Sequence, residues 1–116
     1  MQKEVRRDIL QVLKKVQPLL KKTEVGKLKT LSNFTIHNAS IFQDTDSVSI
    51  SVIVFSLAKI PNRPRLEENK AVLQFKDEIS AELFVAKDTL EKNNEKEFHN
   101  SLRKIFLKIS SFEKKF

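Results

Sequence analysis

The sequence predicts an all-α fold: one domain, residues 1–116, a bundle of about five helices around a buried central helix at 44–60, with a C-terminal antiparallel helical hairpin. Three observations predict it. Apolar residues recur at alternating steps of four and three near both ends, as Val5, Ile9, Val12, Val16 and Leu19, and as Phe98, Leu102, Ile105, Ile109, Phe112 and Phe116. That spacing draws one stripe along a helix. The chain holds one Gly and three Pro, too few for the tight turns of a hairpin-rich β fold. Its most apolar run, Asp44–Ile60, opens on acidic helix-starting residues and stops at Pro61. With 116 residues, 40% of them hydrophobic and nine of them Phe, the chain can bury a core.

The first helix spans 2–22, with Leu13 and Leu20 beside its stripe and Leu10 off it. Pro18 removes a backbone donor and crowds the preceding turn, so a kink or break is expected near Gln17. Thr23 can cap a second helix over 24–42, where Val25, Leu28, Leu31, Ala39 and Phe42 share a side. Phe34, Ile36 and Ile41 do not fit one stripe. This element therefore either hides most of its surface or is irregular.

The central run alternates from Ser47 to Val54, which would also suit a half-buried strand. Its length favours a helix, because strands average only about 5–6 residues. Asp44 or Asp46 can accept hydrogen bonds from unpaired N–H groups at its start. Ser47, Ser49, Ser51 and Ser56 are small enough for neighbouring helices to come close. Since all its sides are apolar, Val52, Ile53 and Phe55 are expected to be buried. Pro61 and Pro64 then impose a rigid turn.

A long helix follows over 66–92, with Glu67 and Glu68 at its positive end. Val72, Phe75 and Ile79 recur eleven residues later as Leu83, Ala86 and Leu90, a period close to that of a straight helix. Asn93–Asn94 reads as a turn, and the last helix covers 95–115. Its stripe and that of 66–92 are expected to face one another.

Net charge is +7, unevenly spread. Residues 1–30 carry nine Lys/Arg against three acids, residues 66–97 five against nine, and residues 98–116 five against one. Basic elements thus flank an acidic one. They can serve mutual complementarity and solvation, or form a face for a polyanion.

Chemistry-bearing patterns are scarce. There is no Cys, so disulfides, thiolate zinc sites and cysteine nucleophiles are excluded. A single Gly makes no phosphate-cradling loop. No arginine is followed a turn or so later by a histidine, the pairing used by some small helical ribonucleases. Glu95, Glu97 and His99 resemble a metal cluster on paper, but Glu97 points away from the other two, and a bundle di-metal site needs paired Glu-x-x-His motifs. His37 reads as a histidine near the core. No metal site, cofactor or catalytic residue is expected, and the chain is expected not to be an enzyme. No run is long enough to span a bilayer, and the first residues lack an apolar signal region. Together these suggest a cytoplasmic protein.

The stretch from Leu31 to Ile60, LSNFTIHNASIFQDTDSVSISVIVFSLAKI, resembles a segment of small uncharacterised archaeal all-helical proteins. The likeness rests on Ala39-Ser40-Ile41, the acids before Ser47, the apolar run, and Ala58-Lys59-Ile60. It covers about a quarter of the chain and carries no catalytic motif. It implies a helix at 44–60 and a cytosolic archaeal setting.

The resulting expectation is a non-enzymatic interaction or regulatory module with a protein partner or a second copy of itself, away from the membrane. Leu107, Phe112 and Phe116 are the candidate interface, because the apolar seam continues to the final residue. The alternative is a basic protein that binds nucleic acid non-specifically. Its candidate phosphate contacts are Lys14, Lys15, Lys21 and Lys22 on the first helix, and Arg103, Lys104 and Lys108 on the last.

Overall fold

Each predicted stripe forms the buried face of a helix. The structure, a computed structural model, describes residues 1–22, 25–42, 44–59 and 70–115, with the side chains of Val25, Phe42 and Lys115 outside that description. It contains α1 (Lys3–Lys21), α2 (Val25–Phe42), α3 (Thr45–Lys59), α4 (Lys70–Glu91) and α5 (Glu95–Lys115), and no strand among the described residues. The expected Thr23 cap, the Pro61–Pro64 turn, Glu67 and Glu68, and Phe116 lie outside the described residues. The radius of gyration is 13.6 Å, against roughly 13.4 Å for a folded domain of this length.

α1 buries Val5, Ile9, Val12, Leu13, Val16 and Leu20. Leu10 and Leu19 pack partly against the same core. The helix runs through Pro18 without the expected break. Pro18 lies in the last turn, so only the bond to the Lys14 carbonyl is forfeited. The Pro18 carbonyl still accepts from Lys22 N–H at 3.0 Å. Gln17 Nε2 donates to the Ser80 carbonyl at 2.6 Å and ties α1 to α4.

α2 is regular and packs chiefly on α3. Its buried side holds Leu28, Leu31 and Ala39 together with Ser32 and Thr35. Thr35 Oγ1 donates to the Leu31 carbonyl at 2.7 Å, and Ser51 Oγ to that of Val48 at 2.7 Å. Such bonds satisfy a buried hydroxyl inside its own helix. The buried Ser47 and Ser51 of α3 are likewise small.

α3 starts on Asp44, whose Oδ2 accepts from the Ser47 backbone N–H at 2.9 Å and from the Ser47 hydroxyl at 3.1 Å. Of the two candidate aspartates, Asp44 is therefore the cap. Burial on all sides is not what α3 shows. Ile50, Ile53, Val54, Leu57 and Ala58 face the core, while Val52 and Phe55 are 46% and 48% exposed. A helix that is apolar all round gives no rotational preference of its own. The neighbours choose: α2, α1 and α5 cover one side and leave Val48, Val52 and Phe55 facing out.

α4 and α5 carry the two longest stripes. Val72, Phe75, Ile79, Leu83, Ala86 and Leu90 are buried against Phe98, Leu102, Ile105, Ile109 and Phe112. Phe75 pairs with Phe112 and Glu78 with Lys108. These pairings run in opposite directions along the chain, so the helices are antiparallel. Asn93 adopts a left-handed φ of 58°, a conformation Asn tolerates at a helix end. Asn93 N–H then bonds the Leu90 carbonyl and Asn94 N–H the Thr89 carbonyl, at 3.1 and 2.9 Å.

Candidate interaction surface

Between α1 and α2 runs an open groove of about 490 Å³. Its floor is Pro18, Leu19, Leu31 and Phe34, and its lining includes Lys14, Lys15 and Lys27. Local sequence explains the mixture. Leu31 is buried on α2's core side and Leu19 is half-buried, while Phe34 falls beyond the stripe and stays 50% exposed. Lys14 and Lys15 are on the wet side of α1. Residues 9–22 and 25–42 contain Lys14, Lys15, Lys21, Lys22, Lys27 and Lys29 and no acid.

Other apolar side chains also face solvent: Val48, Val52 and Phe55 along α3, and Leu73, Phe84 and Val85 on α4. Two of the exposed rings carry a cation, with Lys59 Nζ 4.3 Å from the Phe55 centroid and Lys87 Nζ 5.2 Å from that of Phe84. Such contacts cover part of a ring while keeping the ammonium wet.

Of the candidate interface residues, Leu107 is 68% exposed, as expected. Phe112 is 5% exposed and belongs to the core, because its ring stacks on Phe75. Among the candidate phosphate contacts, Lys14, Lys15, Lys21, Lys22, Arg103 and Lys104 are exposed, and Lys108 approaches Glu78 at 3.5 Å. α1 packs mainly on α4 and α2, and α5 mainly on α4, rather than on one another. The two basic sets therefore occupy different parts of the bundle.

The residues that looked like a metal cluster engage separate partners. His99 Nε2 lies 2.9 Å from Asp46 Oδ1, joining α5 to α3. Glu95 Oε1 accepts from the Met1 amino group at 2.7 Å. This hydrogen bond, reinforced by charge attraction, holds the Glu95 carboxyl below its ordinary range and the amine above its own. No group of three metal-ligating side chains converges among the described residues. His37, expected near the core, is exposed. No described helix is long and apolar enough to cross a membrane.

Phe34 and the outer row of α3 were not singled out as surface. The signal was present: Val48, Val52 and Phe55 step by four and three, a second stripe on a helix that already had one. Comparison with protein-family models, curated proteins and solved structures found no match to this chain.

Proposed function

We propose that this protein is a non-enzymatic interaction module that binds a protein partner through apolar side chains presented on rigid helices. The observation that carries this reading is the α1–α2 groove, where Leu19 and Phe34 remain accessible beside lysines. A helix face of this kind offers apolar area for association at little ordering cost, since the backbone is already fixed. The further exposed row on α3 adds to the surface available.

The test is site-specific photo-crosslinking in cells, with a photoreactive side chain at Phe34, at Val52 and, as a control, at the charged exposed position Glu91. Discrete adducts from Phe34 or Val52 and none from Glu91 are expected. If no apolar position gives an adduct, the reading fails.

A second reading is favoured by the lysines of α2 and of α1 beyond residue 8, stretches without an acid: non-specific contact with nucleic-acid phosphates. Lys14, Lys15, Lys21 and Lys22 would supply the charge, with Arg103, Lys104 and Lys108 as a separate set. Affinity for short RNA or DNA would then fall steeply with salt, and sequence preference would be weak because the chain has no Tyr or Trp. Fluorescence anisotropy at low salt decides it; a flat trace into the tens of micromolar, roughly the weak end of useful affinity, removes this reading.

A further inference from the structure

We infer that the α1–α2 groove receives an acidic amphipathic helix of another protein. This rests on the interaction-module reading and specifies its partner. The groove is open along its length, so an occupant buries one face and leaves the other in water. A small ligand is normally enclosed over most of its surface, whereas an amphipathic helix laid in a groove is covered on one side. The floor at Leu19, Leu31 and Phe34 asks for apolar anchors on that side.

The rim sets the charge. Lys14 and Lys15 are exposed at the edge and Lys27 contributes to the lining. α1 from residue 9 onward and all of α2 contain no Asp or Glu. Carboxylates flanking the anchors of the occupant meet Lys14 and Lys15, which steers encounter and excludes basic helices.

Two other occupants fit less well. A nucleic-acid strand needs flat platforms for its bases, and three of the four floor residues are aliphatic or proline. A second copy could offer the acidic outer face of α4, which holds Leu73, Asp77, Phe84 and Asp88. Each copy, however, carries +7, and that shared charge opposes self-association.

The probe is a fluorescein-labelled peptide of ~18 residues, long enough to form a helix, with Leu at helical spacing and Glu on the flanks. Controls are a scrambled peptide of the same composition and one with Lys in place of Glu. Saturable micromolar binding by the acidic amphipathic peptide alone is expected. K14E with K15E should weaken it at least tenfold, and Phe34→Ser should do the same. All three positions are exposed, and circular dichroism checks that each variant stays folded. Amide shifts should map to α1 and α2. Equal binding of the scrambled peptide, no saturation, or tighter competition by a single-stranded oligonucleotide overturns the inference. So does self-association in ultracentrifugation that K14E with K15E abolishes. Shifts confined to Val48, Val52 and Phe55 sink the groove but leave the broader reading standing; loss of every crosslink sinks both.

Discussion

Phe75 and Phe112 stack with ring centroids 4.3 Å apart and planes 20° from parallel. Each ring is 5% exposed, so the pair fastens the start of α4 to the end of α5. Phe112→Ala should cost about 3–5 kcal/mol, by lost burial and a cavity. A double-mutant cycle with Phe75→Ala should return a coupling of roughly 0.5–1.5 kcal/mol. Urea unfolding measures both. An unchanged midpoint for Phe112→Ala would return that ring to the surface.

The two sides of α3 should respond differently. Ile53→Ala removes a core side chain and should cost about 2–4 kcal/mol. Val52→Ser, one position away, should stay within ~0.5 kcal/mol, as exposed positions do. Phe55→Ser, at a position 48% exposed, should cost less than Ile53→Ala, although it gives up the contact with Lys59. Thermal melts of the three variants compare the faces directly; a large loss at Val52 would mean that something covers it.

The cap at Asp44 should be measurable. Asp44→Ala leaves the Ser47 N–H without its acceptor and should cost ~1 kcal/mol. Asp44→Asn and Asp44→Ser should recover most of it, since both can accept the same bond. Failure of both to rescue would assign the loss to charge rather than capping.

The pairing of Glu95 with the Met1 amine gives a small pH dependence of known sign. Glu95 is held low, so its contribution is present above its unfolded value and is lost as pH falls through the folded one. The amine is held high, so its share is present below its unfolded value and is lost as pH rises through the folded one. The full contribution spans neutral pH. Both groups are at the surface, where salt screens the effect. NMR titration should find the Glu95 carboxyl below its ordinary value, and Glu95→Gln should return the amine toward its own.

Much of the fold was legible because period and burial agree where a helix has one apolar stripe. α1, α4 and α5 are of that kind, and each stripe residue described is buried except Leu19, which is half-buried. α2 and α3 are not. Phe34, Ile36 and Ile41 give α2 no single direction, and α3 carries apolar side chains on more than one side. Which side of such a helix meets the core is fixed by tertiary packing, which local spacing does not encode. The groove was hidden for the same reason. Lys14 and Lys15 were readable as exposed, but their proximity to Phe34 exists only once α2 folds back on α1. Phe112 shows the converse: a ring close to the chain's end looks available in the sequence until its partner, Phe75, is found nearly forty positions earlier.

Asn94 serves two helices at once. Its N–H donates to the Thr89 carbonyl at the end of α4, and its own carbonyl and side-chain oxygen accept from Phe98 and Glu97 N–H at the start of α5. All three residues between the helices, Lys92, Asn93 and Asn94, donate their N–H to carbonyls of α4. One residue inserted within the first turn of α5 would turn the rest of that helix by about 100° around its own axis, carrying Phe112 away from Phe75 and bringing its charged side inward. Natural variation in chain length should collect elsewhere in the protein and spare the junction at 92–94.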